Sequence, residues 1–256
     1  MDVVLLNYTV DQTHIRSINQ RVILNRIIHT DTISRADLSR QVRISKSAIT
    51  EIIASLLDIG IIQEVGAGSS TPTGGRKPIL LKFNKFYKYI IAIDLSYEDP
   101  ILVLANLGGE IVNEFSVNID YDSSYPARFE LMKNAISELI ALSHLTYDDL
   151  AIIAISSPGI FMPESKEFKA NPQFVNWRMS DLSKELEEHF GTSVMVINDV
   201  NSAAVGEHKY GIGCGVNNLL YVSCGLGVGA GIIINGSLYE GVDKSAGEIG
   251  SFMIPD

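Results

Sequence analysis

The sequence predicts an α/β protein in two parts: a small helical unit closed by a β-hairpin in front, and a larger mixed α/β unit behind it. Three observations predict this. Charge is segregated, because residues 15–85 carry eleven Lys and Arg against five Asp and Glu, whereas residues 86–256 carry nine against 23. Apolar residues in front recur at helical spacing and then give way to two short strand-like runs around a Gly/Ser/Thr/Pro loop. Beyond residue 88, continuous β-branched runs alternate with helix-like stretches and end in glycine clusters. With 46% hydrophobic and 20% charged residues among 256, the chain can bury a sizeable core and disorder is excluded.

In order, the spacing predicts a first helix over Asn19–Thr30 with Ile23, Leu24, Ile27 and Ile28 inward. Ser34 is placed to cap a second helix, Arg35–Val42, whose Ala36, Leu38 and Val42 can face the core. Ser45 caps a third, in which Ile49, Ile52, Ile53, Leu56 and Leu57 form one stripe and Gly60 closes the end. Opposite that stripe lie Lys46, Ser47, Thr50 and Glu51, groups small and polar enough to enter a DNA groove, with Arg43 in the preceding turn. Ile61–Val65 and Ile79–Phe83 read as strands, so the front is a winged helix-turn-helix. Its wing loop holds Gly74-Gly75-Arg76-Lys77-Pro78, where Gly75 permits close backbone approach and Arg76 can reach a narrow minor groove. The net charge of −10 hides this basic DNA-facing unit.

In the acidic part, Tyr89–Leu95, Ile101–Asn106 and Glu110–Val117 predict an antiparallel meander turning at Gly108-Gly109. Pro126–Leu142 predicts a helix, and Leu150–Ser156 a strand buried on both faces. A helix over Ser180–Phe190 leads to strand Val194–Ile197, then Asn198-Asp199-Val200-Asn201 and a further helix to Tyr210. Ligands of α/β sheets sit beyond strand carboxyl ends, so Asn198 and Asp199 are candidates for ligand contact, with helix capping by Asp199 or Asn201 an equal alternative. Leu219–Ser223 precedes a loop, Gly225–Gly231, expected to let backbone amides approach a ligand. Gly225 to Ala230 satisfies the string G-x-G-x-x-A, but a β-branched run and an Asn235-Gly236 turn follow instead of a helix, which excludes a dinucleotide fingerprint. Glu248 stands between Gly247 and Gly250.

No apolar run reaches the roughly 18–20 residues that span a bilayer, and the first 20 residues contain Asp2, Asp11 and Arg16. A cytoplasmic chain without a membrane partner is expected. Cys214 and Cys224 are too few for a disulfide framework and have no zinc-ligand neighbours, so buried reduced thiols are expected.

These motifs resemble the ROK family, the bacterial sugar-responsive repressors and sugar kinases, and within it the NagC/XylR/Mlc-type repressors. The resemblance rests on Leu38-Ser39-Arg40, Ile44 to Thr50, Gly74 to Pro78, Ser157-Pro158-Gly159, Asn198 to Ala204 and Gly247-Glu248-Ile249-Gly250. It implies an actin-like (ribonuclease H-like), two-lobed sugar-binding domain behind the winged helix, divided as 1–85, 86–200 and 201–256. It also implies that Asn198, Asp199 and Glu248, with the backbone at Gly159 and with Asn171, hold sugar hydroxyls. The implied function is a sugar-responsive repressor of carbohydrate-utilisation genes, a homodimer on double-stranded operator DNA whose ligand is a sugar or sugar phosphate. The alternatives are a ROK-type sugar kinase with a fused DNA-binding domain, or a dimerisation scaffold without ligand.

Departures from the family pattern weigh against the kinase. Asp94 is followed by Leu95-Ser96-Tyr97-Glu98 where family kinases carry a Gly-Gly-Thr phosphate loop, and Leu226 replaces a phosphate-contacting hydroxyl. Ser251 stands where a zinc-binding His is usual, and the chain ends at Asp256 before a cysteine motif. No catalytic residue, metal or cofactor is therefore expected, and the second lobe is expected to be small or truncated.

Overall fold

Two serine caps set the register of the front unit. In the computed structural model, which describes residues 12–68, 77–95, 99–120, 122–162, 167–169, 179–225 and 227–251, the chain divides into Met1–Tyr87 and Lys88–Asp256. Helix α1 spans Gln12–Ile28, α2 spans Arg35–Gln41 and α3 spans Lys46–Asp58. Ser34 Oγ accepts from the Asp37 amide at 3.1 Å, and Ser45 Oγ from the Ala48 amide at 3.3 Å. Gly60, with φ +79°, follows α3 and donates its amide to the Leu57 carbonyl.

The core of this unit is Ile23, Ile27, Leu38, Ile49, Ile52, Ile53 and Leu56, packed against Ile33, Ile62 and Leu81. Burying each such side chain contributes about 1.5–3 kcal/mol. Strand β1 (Ile33–Ser34) pairs antiparallel with β3 (Ile79–Phe83), which pairs with β2 (Ile62–Ala67). Two inward assignments need correction. Ile28 and Ala36 are exposed, because each helix buries a narrower stripe than its apolar residues suggest. Gly74, Gly75 and Arg76 lie outside the described residues.

The second unit is organised by a five-stranded sheet in the order β10-β7-β4-β5-β6. Strands β4 (Tyr89–Asp94), β5 (Ile101–Asn106) and β6 (Ile111–Ser116) form the antiparallel meander, turning through Gly109 at φ +80°. Strands β7 (Leu150–Ser157) and β10 (Val194–Asn198) run parallel to β4. Ile91, Ile93, Leu102, Leu104, Ile153, Ile155 and Val196 bury one sheet face in a core shared with α4 (Tyr125–Leu142) and α5 (Met179–Phe190). Strands β8 (Ile160–Met162) and β9 (Glu167–Lys169) form a separate hairpin.

The prediction that the Leu150–Ser156 run is buried on both faces is corrected. Leu150, Ile153, Ile155 and Ser157 are buried, whereas Ile152, Ala154 and Ser156 are only partly covered. The small residues Ala92, Ala154 and Ser156 leave open space on that second face.

Helix α6 (Asp199–Tyr210) leads to a three-stranded sheet of β11 (Leu219–Cys224), β12 (Val228–Ile234) and β13 (Ser237–Leu238). Asn235-Gly236, both at positive φ, turn β12 into β13. Most of the expected glycine loop is strand. A Cβ at Gly231 would stand 2.3 Å from the Ala204 Cβ, and one at Gly229 3.1 Å from Val200 Cγ2, so these glycines let α6 lie close on β12. The expected burial of the cysteines also fails. Both thiols are free and exposed, Cys224 on the open face of β11 and Cys214 in the turn after α6. Among the described residues no helix is long and apolar enough to cross a membrane.

Candidate functional site

In the front unit, the start of α3 presents Lys46, Ser47 and Thr50, all exposed, with Arg43 exposed in the turn before it. The Thr50 hydroxyl donates to the Lys46 carbonyl at 2.8 Å, and the Ser45 and Ser47 hydroxyls lie 3.2 Å apart. Beside them is a hollow of about 400 Å³ lined by Arg35, Ala36, Ser39 and Arg40 of α2 and by Lys46, Ile49 and Thr50 of α3. Sequence reasoning missed the α2 side of this surface. The signal was present in the i, i+4 pairs Arg35/Ser39 and Ala36/Arg40, which line one side of α2. Arg35 is tied to Glu64 at 2.9 Å and Arg40 to Asp37, so both guanidiniums are oriented from within the unit.

In the second unit, the open face of the sheet floors a cavity of about 400 Å³. Ala92, Asp94, Ala154 and Ser156 form its floor, while Asp199, Val200 and Ala203 of α6 and Tyr221 and Ser223 of β11 form its walls. Asp199 follows directly from β10, at the strand end where ligands of such sheets gather.

The capping alternative resolves onto a different residue. Asn198 is the N-cap of α6, its Oδ1 accepting from the Asn201 amide at 3.0 Å, while its Nδ2 donates to the Gly159 carbonyl at 3.0 Å. Asn198 therefore joins the turn at Gly159, where φ is +108°, to the helix that carries Asp199. Asp199 Oδ1 accepts from the Val200 amide at 2.9 Å. Asn201 is buried, and among the described residues its buried Oδ1 has no hydrogen-bond partner. Asn171, Leu226 and Ser96 to Glu98 lie outside the described residues.

Glu248 is brought to the same region by its flanking glycines. Gly247 has φ +92°, and a Cβ there would stand 1.8 Å from the Ala230 carbonyl oxygen. One at Gly250 would stand 2.4 Å from that of Val228. The Ala230 amide donates to the Gly247 carbonyl at 2.8 Å, so the segment lies against the edge of β12. Burial pushes the Asp199 carboxyl above the usual range; the Val200 amide partly offsets this and the charge of Asp94 adds to it. Partial desolvation, then the charge of Asp199, likewise raises Glu248, although its surface remains largely open. Asp94, Asp199 and Glu248 thus form an electrostatically linked group. Among the described residues no set of three His, Cys, Asp or Glu side chains is placed to hold a metal.

A raised native-state value means that the folded chain takes up these protons before the unfolded chain does. The stabilising contribution is present below the ordinary carboxylate range and is lost as pH rises through the raised values. Asp199→Asn keeps the Oδ1 acceptor and removes the charge, so it is expected to raise the melting temperature at pH 7.5. A gain up to about 2–4 °C corresponds to about 1 kcal/mol in a domain of this size, and solvent screening limits it. The gain should shrink toward pH 4. Thermal melts of both proteins across that range check it, and a lower melting temperature for the variant at pH 7.5 contradicts it.

Residues 16–63 match the winged helix-turn-helix DNA-binding family, and residues 90–256 match the ROK family. The xylose repressor of Bacillus subtilis is 32% identical over 245 residues, covering 95% of this chain and 62% of that protein. The DNA-binding transcriptional dual regulator NagC of Escherichia coli is 27% identical over 242 residues, covering 94% and 58%. Among solved structures, a ROK family transcriptional regulator homologous to the Escherichia coli Mlc protein is 26% identical with a TM-score of 0.75, covering 94% of this chain and 60% of that one. A ROK family glucokinase from Streptomyces griseus, 24% identical with a TM-score of 0.52 over 65% of this chain and 51% of its own, shares the fold. The chain spans about three fifths of the length of the curated relatives it matches. A winged helix-turn-helix joined to an actin-like sheet with a carboxylate-lined cleft, matched along nearly its whole length by a ROK regulator, establishes that this chain belongs to the ROK family.

Proposed function

We propose that the chain is a sugar-responsive transcriptional repressor of carbohydrate-utilisation genes, acting without enzymatic turnover, metal or cofactor. One observation carries the reading: a single chain joins a helix start bearing exposed Lys46, Ser47 and Thr50 to a cleft where Asp199 and Glu248 lie within electrostatic reach of each other. Arg43, Gly75 and Arg76 complete the DNA-binding set, with Lys46, Ser47 and Thr50 at base edges and Arg76 in the minor groove.

Asp199 and Glu248 accept sugar hydroxyls, joined by Asn198, Asn171 and the Gly159 backbone. Residues 1–85 form the DNA-binding part, 86–200 the first lobe and 201–256 the start of the second. The separate sheets over 89–198 and 219–238 support that division. The protein works in the cytoplasm as a homodimer on paired half-sites of duplex DNA. Relatives named xylose repressor and N-acetylglucosamine repressor support a sugar effector.

A second reading, a sugar kinase with a fused DNA-binding domain, draws on the raised carboxyl of Asp199 beside Asp94, which has the character of a general base. The experiment that separates the two combines fluorescence anisotropy on the chain's own promoter DNA, with and without a sugar panel, and a coupled ATP assay on the same panel. Salt-dependent operator binding that one sugar changes severalfold, with no turnover above background, is expected. Mg-dependent phosphorylation lost in Asp199→Asn would establish the kinase reading instead.

A further inference from the structure

We infer that the cleft is built for an uncharged sugar and rejects its phosphate monoester, an inference that rests on the sugar-sensing reading. The floor and one wall of the 400 Å³ cavity present Asp94 and Asp199, and Glu248 lies within electrostatic reach of Asp199. A phosphoryl group carries about −1.5 to −2 charges at neutral pH. Seating it here would bring that charge against the half-buried carboxylates of Asp94 and Asp199. The remaining polar lining among the described residues is hydroxyl, from Ser156, Ser202, Tyr221 and Ser223, which suits neutral polyols.

Among the described residues, several backbone amides beside the cleft are already engaged. At the start of α6, the Asn201 amide is taken by Asn198 Oδ1 and the Val200 amide by Asp199 Oδ1, so the helix terminus carries its own cap and its own anion. At the β11–β12 turn, the Gly225 amide donates to the Gly227 carbonyl at 2.9 Å. At the end of β4, the Leu95 amide donates to the Ser156 carbonyl at 2.8 Å. A phosphate would have to displace these bonds as well as approach the carboxylates. A sugar hydroxyl needs neither, because it donates to a carboxylate oxygen.

Asp94 thereby acquires a role that the family resemblance does not give it. With Ser96, Tyr97 and Glu98 following it, its carboxylate contributes to discrimination between sugar and sugar phosphate rather than to nucleotide binding.

The test is isothermal titration calorimetry of the chain with three matched pairs: D-xylose and its 5-phosphate, D-glucose and its 6-phosphate, N-acetylglucosamine and its 6-phosphate. The pair that binds should favour the neutral member by at least about tenfold at pH 7.5, and the gap should widen at low ionic strength, where repulsion is least screened. Asp94→Asn should narrow the gap severalfold. A phosphate ester that binds as tightly as its sugar, or tighter, overturns the inference and leaves sugar sensing intact. A preference for the neutral sugar unaffected by both salt and Asp94→Asn also overturns it, since shape and not charge would then decide. If neither member of any pair binds, the sensing reading itself fails and takes the inference with it.

Discussion

Replacing Thr50 with serine is expected to lower discrimination between operator and random DNA by about 1–3 kcal/mol per contacted base pair, roughly fivefold to more than a hundredfold, while Thr50→Val leaves it nearly intact. The reason lies in the local geometry. The Thr50 hydroxyl is committed to the Lys46 carbonyl at 2.8 Å, so what the exposed side chain offers a base edge is its methyl group. A methyl reads thymine by apolar contact with the C5-methyl. Valine preserves that group and serine removes it. Ser47→Leu should also reduce discrimination, because a branched side chain at the second position of α3 blocks groove entry.

None of these changes removes a cation, so the dependence of log affinity on log salt should stay as in the unmodified chain. Lys46→Ala, by contrast, should reduce that slope by about one for each phosphate that the lysine neutralises. Anisotropy titrations against operator and scrambled duplexes at low and at physiological salt measure both quantities. Discrimination unchanged in Thr50→Ser and Ser47→Leu would remove the start of α3 from sequence reading.

The parts of this molecule that were legible in the sequence are those where one residue type has one physical use. The stripe of Ile49, Ile52, Ile53 and Leu56 has no place but a helix buried on one side, and Ser45 before it has few better uses than a cap. The same holds for Asn235-Gly236, whose positive φ values fit a hairpin turn.

Residues with several uses were not separable by spacing. Asn198, Asp199 and Asn201 are all competent caps, and the choice fell to Asn198 because the chain leaves β10 there and its amide also finds the Gly159 carbonyl. Gly229 and Gly231 looked like ligand-approach glycines, yet they admit α6, a packing between elements that no local pattern records. Strand β1 has two residues and exists only because Leu80 and Leu81 of β3 lie beside it. The open face of β7 was hidden for a similar reason: Leu150–Ile155 is apolar throughout, and only packing decides which alternate set meets helices. Asp94 was legible as the remnant of a nucleotide loop. Its electrostatic coupling to Asp199 required the three-dimensional register of β4 beside β7 and β10.

The largest functional effect is expected at Asp199. Asp199→Ala should bind operator as tightly as the unmodified chain without sugar, and should lose the sugar response entirely. Asp199 starts α6, which packs on β11 and β12, while Glu248 sits on the segment bonded to the edge of β12. One ligand held by both carboxylates would link the end of the five-stranded sheet to the second sheet and favour a closed cleft. A ligand shifts a conformational equilibrium only by its differential affinity for the two states, and such couplings typically amount to about 1–3 kcal/mol, or roughly 5–150-fold in affinity. A coupling of that size is enough to empty an operator.

Coupling is reciprocal, so if sugar weakens operator binding, operator DNA must weaken sugar binding by the same factor. Glu248→Ala should reduce the response in parallel, whereas Glu188→Ala, which removes an exposed carboxylate 3.7 Å from Lys184 on α5, should leave it unchanged. Calorimetric titration of sugar with and without operator, alongside anisotropy of the three variants, measures both directions of the cycle. A full sugar response in Asp199→Ala and Glu248→Ala would place the sensor outside this cleft. Unequal factors in the two directions would show that sugar and operator are not linked through a single equilibrium.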